Sequence, residues 1–182
     1  MSSILVAYAS KHGSTRETAD WVAAALRDRG LDVDVLPAAA VESVGGYDAV
    51  VLGGALYTGR LHSDARRFLR RHRDSLARVP CAVFALGPTS MDPEDVAGSR
   101  HQLDAGLSKT PEVQPFAIAI FGGVVRPAEL RFPFNRMHAS DGRDREAIER
   151  WAAMVADTVR YGKPAGRFSR ATDGATTLQT HG

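Results

Sequence analysis

Residues 8–19 read YASKHGSTRETA and follow directly on the apolar run ILVAYA. A chain that leaves a buried strand through Ser10, His12, Gly13, Ser14 and Thr15 presents hydroxyls and successive backbone N–H groups. The helix that follows, starting at Ser14 or Thr15, adds its positive end. Unsatisfied N–H groups and the helix dipole both favour an anion, so the loop suits a terminal phosphate. The same residues also spell S-x-x-E from Ser14 to Glu17, a capping box that stabilises a helix by about 1 kcal/mol and implies no ligand. A G-x-G-x-x-G fingerprint and a G-x-x-x-x-G-K-[ST] loop are both absent, which points to a mononucleotide or another small phosphate.

Two further polar turns follow apolar runs. GGALYTGRLH, residues 53–62, frames Leu56, Tyr57 and Thr58 with glycines before the basic residues Arg60 and His62, and GPTS occupies 87–90. Three such loops on one sheet edge would enclose a flat aromatic ligand with a phosphorylated end. Arg66, Arg67, Arg70, Arg71 and Arg73 crowd the segment after the second turn. Such a run is either a solvated face or a surface for an acidic partner or anionic lipid.

The elements that must position these loops alternate regularly, the pattern of a parallel sheet with crossover helices. Strands are expected at Ile4–Ala9, Val33–Leu36, Ala49–Gly53, Cys81–Leu86 and Phe116–Phe121, mostly as continuous apolar runs covered on both faces. Helical stripes are carried by Ala19, Val22, Ala23 and Leu26, by Ala65, Phe68, Leu69, His72 and Leu76, and by Ile148, Trp151, Ala152, Val155 and Val159. A weaker stripe, Val96, Arg100, Leu103 and Leu107, is opened by Asp92 as N-cap and Pro93. The long connection GGVVRPAELRFPFNRMHASDGRD precedes the last helix, and such connections are usually functional or mobile. Residues 1–162 read as one domain and 163–182, rich in Ser, Thr, Gly and Ala, as a flexible tail.

With 182 residues, 44% hydrophobic and 24% charged, the chain has an ordinary globular composition. A net charge of +2 is too small to argue for nucleic acid, and none is expected as a partner. No apolar run reaches the roughly 18–20 residues that span a bilayer, and the start has no basic leader, so a cytoplasmic protein is expected. The single cysteine, Cys81, excludes an internal disulfide and a cysteine metal cluster, and its run CAVFAL reads as a buried strand.

In these segments the sequence resembles the flavodoxin-like family, whose α/β fold has a doubly wound five-stranded parallel sheet in order 2-1-3-4-5 and binds FMN at the turns after strands one, three and four. The family's phosphate loop is T/S-x-T-G-x-T. Here S-K-H-G-S-T keeps Ser10, Gly13 and Thr15, and His12 stands at the middle hydroxyl. Within the family the chain is most similar to the branch containing menaquinone-dependent protoporphyrinogen IX dehydrogenases, through YASKHGSTRETA, GGALYTGRLH, FALGP, FGGVVRP and GRDREAIERWA. It departs from that branch in the compact RPAELRFPFNRMHASDG, where the membrane-associated members carry a longer basic insertion.

The resemblance implies that Ser10, His12, Gly13, Ser14 and Thr15 bind the FMN phosphate. It implies that Ala55, Leu56, Tyr57, Thr58 and Gly59 line one side of the isoalloxazine, and Gly87, Pro88 and Thr89 the other. Tyr57 is the candidate stacked ring, or else packs on the neighbouring helix. Gly59 serves a backbone flip toward flavin N5 or only completes a turn. Arg60, His62, Arg126 and Arg131 fall in loops expected around the flavin, where a cation favours the reduced anion by roughly 2–3 kcal/mol at about 6 Å and an effective dielectric near 20. Arg60, His62 and Arg126 are also candidate contacts to a porphyrinogen's propionates, and Leu130, Phe132, Phe134 and Met137 a candidate apolar lid.

Three functions follow from this reading. The first is an FMN-dependent oxidoreductase that takes electrons from a reduced ring such as a porphyrinogen and passes them to a quinone or redox-protein partner, with peripheral contact at the inner face of the membrane. The second is an electron carrier without its own substrate. The third is a flavin-free regulatory module, disfavoured as a phosphoacceptor because glycines stand where an aspartate is needed after strand three. No metal is implied.

Overall fold

The computed structural model describes residues 1–129, 136 and 138–162. Strand β1, Ser3–Ala9, pairs in parallel with β2, Asp32–Pro37, and with β3, Ala49–Tyr57. Strand β5, Cys81–Leu86, joins β3 on its other side and carries β6, Ala117–Phe121, at the edge. The five parallel strands therefore lie in the order β2-β1-β3-β5-β6, which is the expected 2-1-3-4-5 path. The numbering shifts because β3 runs four residues past its expected end and folds back as β4, Arg60–Leu61, in an antiparallel hairpin.

Alternate residues of each buried strand face opposite layers. From β1, Ile4 and Val6 enter one core, where they meet Ala19, Val22, Ala23 and Leu26 of α1, Ser14–Asp28. The same core holds Ile148, Trp151, Ala152 and Val155 of α4, Arg145–Tyr161. Leu5, Ala7 and Ala9 enter the other, with Phe68, Leu69 and Leu76 of α2, Ser63–Leu76, and Leu103 and Leu107 of α3, Pro93–Leu107. Covering both faces is what makes the strands read as unbroken apolar runs. Phe84, Phe121 and Trp151 meet at centroid distances of 5.8–6.0 Å and close the first core beneath the last strand.

The helix ends follow their sequence signals in part. Pro93 opens α3 with Asp92 at the N-cap, but the Asp92 carboxylate accepts from Ser90 Oγ at 2.7 Å instead of from the helix. Asp144 caps α4 by accepting from the Ala147 N–H at 3.1 Å, and Gly162 ends it with φ +64°. The expected long connection before α4 is paired at its base. Strand β7, Val124–Val125, and β8, Ser140–Asp141, form an antiparallel ribbon. Its intervening Leu130, Arg131, Phe132, Phe134 and Met137, like the tail 163–182, lie outside the described residues.

Cys81 is buried and its thiol is pushed up to about 12 by that burial, which suits a strand residue and not a nucleophile. His72 is only 6% exposed, packs its ring 4.7 Å from that of Phe68, and bonds the Val41 backbone. Burial lowers its pKa, and the neighbouring Arg71 charge adds to this against the Val41 bond. The folded protein therefore resists a proton that the unfolded chain accepts at about 6.5. Stability is full above that pH and falls as the pH drops from 6.5 toward the lowered folded value. Urea midpoints measured from pH 7.5 to 5 should decline, and His72→Gln should flatten the slope. An unchanged slope in the variant would place the titration elsewhere.

Candidate functional site

The carboxyl ends of β1, β3 and β5 bring the three polar turns to one sheet edge, where open α/β folds hold ligands. Ala55 and Leu86 are register partners, so Leu56–Gly59 and Gly87–Thr89 leave adjoining strand ends. Ser10, His12, Gly13, Ser14 and Thr15 cluster at the start of α1.

The first turn of α1 differs from the capping-box expectation. Gly13 is the N-cap, in the left-handed region at φ +85° and with no side chain to offer. Its carbonyl accepts the first helical bond, from Glu17 N–H at 3.0 Å. Helix geometry thus leaves the Ser14, Thr15 and Arg16 N–H groups ahead of the helical ladder. With the N-cap at Gly13, one residue before Ser14, Glu17 lies too far along the helix to reach back to its cap. The Ser10 hydroxyl instead closes the turn by accepting from Gly13 N–H at 2.9 Å, and its own proton stays available to an acceptor.

Thr15 is fully buried, and among the described residues its hydroxyl has no hydrogen-bond partner. A buried unpaired hydroxyl costs roughly 1–3 kcal/mol, so its retention beside three open N–H groups needs an explanation. An anionic oxygen at the loop supplies it, since the hydroxyl and the three N–H groups are all donors. The residues present therefore fit a phosphate.

Glu17 turns away from the helix start toward two arginines. Its carboxylate accepts from Arg126 Nη2 at 2.8 and 3.0 Å and from Arg143 Nη1 at 2.9 Å. Arg126 also donates through Nη1 to the His12 carbonyl at 3.1 Å, which ties it to the phosphate loop and away from the ring side where a substrate contact was expected. Arg143, 5% exposed, reaches Asp141 at 2.7 Å and lies 4.7 Å over the Trp21 ring. Burial pushes the Glu17 carboxyl upward, but its bonds to Arg126 and Arg143 outweigh this and hold it below the usual range. Asp141 is held low chiefly by its bond to Arg143, and the Arg143 guanidinium is raised in return. Neither Glu17 as an anchor nor Arg143 was picked out from the sequence. The only signal was their presence in two of the segments that carry the family likeness.

The second turn is a two-residue hairpin. Tyr57 pairs with Arg60, and the tip residues Thr58 and Gly59 have φ +45° and +77°. Tyr57 is 40% exposed, its ring 6.0 Å from that of His12 and 5.7 Å from Lys11 Nζ, so it bridges toward the phosphate loop. Arg60 is exposed on β4. His62 is the N-cap of α2 and accepts from Asp64 N–H through Nδ1 at 3.2 Å, which leaves Nε2 for any ligand. Gly53 and Gly54 sit where a side chain would run into the Phe84 ring and into Leu61 and Ala65, so the absent aspartate has a packing reason.

Gly87, Pro88 and Thr89 are built into the wall beyond β6. Gly87 N–H donates to the Phe121 carbonyl, Gly123 N–H to that of Pro88, and Gly142 N–H to that of Gly123, at 2.8, 2.8 and 2.9 Å. A Cβ on Gly123 or Gly142 would strike the Gly87 or Thr89 backbone. The base of the β7–β8 ribbon therefore fixes the third loop by main-chain contact. Among the described residues no group of three or more His, Cys, Asp or Glu could hold a metal.

With this geometry in hand, comparison with known proteins is informative. Residues 5–137 match the flavodoxin domain family. Protoporphyrinogen IX dehydrogenase [quinone] of Escherichia coli strain K12 is 25% identical over 130 residues, 70% of this chain and 72% of the relative. A mutant flavodoxin from Pseudomonas aeruginosa superposes with a TM-score of 0.57 at 19% identity, over 87% of this chain and 99% of that one. A Streptococcus pneumonia flavodoxin gives 0.54 at 20%, over 89% and 100%.

The hairpin tip yields a direct test. Thr58 is a β-branched residue at positive φ, where Asn is far better tolerated. Thr58→Asn should stabilise the protein by about 1 kcal/mol, or roughly 2–4 °C in melting temperature. A melting temperature that falls would show that the Thr58 side chain contributes more than its backbone strain costs.

Proposed function

The chain belongs to the flavodoxin domain family, and on that premise we propose that it is an FMN-dependent oxidoreductase acting on a reduced ring compound of the porphyrinogen class. Fold and family together imply a flavin cofactor, and a redox role follows from both. The observation that carries FMN is the buried Thr15 hydroxyl beside the first N–H groups of α1, because a phosphorylated flavin would offer them an anionic oxygen. Ser10, Gly13, Ser14 and Thr15 would hold the phosphate, with His12 closing the loop toward Tyr57. Tyr57 and the Ala55–Gly59 hairpin would flank one side of the ring and Gly87–Thr89 the other.

When bound, FMN supplies the two-electron chemistry, and the protein's part is to orient the substrate and shape the electrostatics. Arg60, exposed beside Tyr57, and His62 at Nε2 are the groups that would meet an anionic substrate at the ring. The likeness to a quinone-linked protoporphyrinogen dehydrogenase supports both this substrate class and a quinone as acceptor. No described helix is long and apolar enough to cross a membrane. The apolar residues of α2 face the core while Arg67, Arg70, Arg71 and Arg73 are exposed and Arg66 is half-buried, which supports an electrostatic contact with an acidic partner or headgroups and no insertion.

A second reading, an electron carrier without its own substrate, is favoured by the exposure of Tyr57, which leaves the ring edge open to a partner protein. One experiment separates the two. The purified protein should retain FMN after gel filtration, and protoporphyrinogen added without oxygen should bleach the flavin bands as protoporphyrin forms. A retained flavin that protoporphyrinogen does not bleach removes the enzyme and leaves the carrier. Thr15→Val should weaken FMN binding about tenfold without lowering the melting temperature of the flavin-free protein, and undiminished affinity would remove the phosphate assignment.

A further inference from the structure

The Glu17 cluster joins parts of the chain more than a hundred residues apart. Arg126 leaves β7 and Arg143 follows β8, and both converge on one carboxylate in the first turns of α1. Arg126 spends its remaining fork on the His12 carbonyl, one residue before the N-cap. The guanidinium thus holds the phosphate loop at two points, His12 from the loop side and Glu17 from the helix side. The Arg126 Nη1 atom also lies 3.9 Å from where a Gly13 side chain would begin.

We propose that Glu17, Arg126 and Arg143 are positioning residues that latch the β7–β8 ribbon to the phosphate loop, so that this ribbon sets how tightly the loop grips a phosphate. A glycine N-cap offers no side chain to fix the loop, and a planar bidentate guanidinium is the stiffest substitute available. Charge supports the same role. Glu17 would repel an incoming phosphate from within the helix, and two arginines cancel it while Asp141 balances the second of them. Coupling of this kind is reciprocal, so phosphate in the loop must also steady the ribbon. Arg143 adds rigidity because it is buried against Trp21 and shared between both carboxylates.

The inference rests on the FMN reading, and riboflavin, which has the ring without the phosphate, separates the two. Binding of FMN and of riboflavin would be followed by fluorescence quenching for the wild type, Arg126→Met and Glu17→Gln, all checked for unchanged melting temperature. Both altered residues are partly exposed, which makes folding of the variants the expectation. The latch requires each variant to bind FMN about tenfold more weakly while riboflavin is unaffected. Hydrogen exchange at 124–125 and 140–141 should slow on adding FMN to the wild type and not to Arg126→Met. Simple repulsion makes the opposite demand, since Glu17→Gln would then tighten FMN. Tighter FMN, equal losses for both ligands, or wild-type affinity in both variants overturns the latch while leaving the cofactor standing. A wild type that binds neither flavin overturns the cofactor reading and the latch with it.

Discussion

A helix whose N-cap is a glycine in the left-handed region has nothing of its own with which to order its first turn, and much of this structure answers that deficit. Gly13 permits the abrupt exit from β1 that a residue with a Cβ would make at a cost of roughly 1–2 kcal/mol. The turn is then completed from outside. Ser10 closes it from the strand side, while Arg126 holds the His12 carbonyl from the ribbon side. The Ser14, Thr15 and Arg16 N–H groups meanwhile stay ahead of the helical ladder. The open cradle is thus a consequence of where the helix begins.

The same edge shows a second constraint, close approach of main chains. Gly87, Gly123 and Gly142 lie where strands leaving the sheet must pass one another, and a chain of three backbone hydrogen bonds links Pro88, Gly123 and Gly142 back to β6. Backbone bonds of this kind restrict a loop more tightly than side-chain contacts, since no rotamer can relax them. The third loop is therefore the rigid wall of the site. The hairpin at Tyr57 is its opposite, held by a two-residue turn with one strained position and half open to solvent.

How much of this could be read from the sequence follows from the range of the forces involved. The sheet order, both cores and the four helices were legible because burial imprints a period on residues such as Ile4, Val6 and Phe84 or Ile148, Trp151 and Val155. Gly13 and Thr15 were legible as loop residues because turn chemistry is local. For Glu17 local spacing offered only the alternative of a capping box. A capping box is the nearest partner its spacing suggests, and only the fold could show that Arg126 and Arg143, 109 and 126 residues away, outcompete it. The β4, β7 and β8 strands were missed because two-residue strands carry no period. Arg126 was assigned to the ring because its loop was placed correctly and its direction could not be.

That redirection alters the electrostatics of the proposed site. Four cations were expected around the ring; Arg131 lies outside the described residues, and Arg126 is committed to a carboxylate that cancels its charge. His62 has one nitrogen occupied at the cap of α2, where Nδ1 accepts from the Asp64 N–H. The charge nearest Tyr57 on the hairpin is therefore Arg60, and its exposure means that water screens much of its influence on a bound flavin. A screened cation shifts a redox equilibrium weakly but can still pair with an anion that reaches it. At the proposed site the arginine would therefore be better suited to contacting a negatively charged substrate than to setting the cofactor's potential.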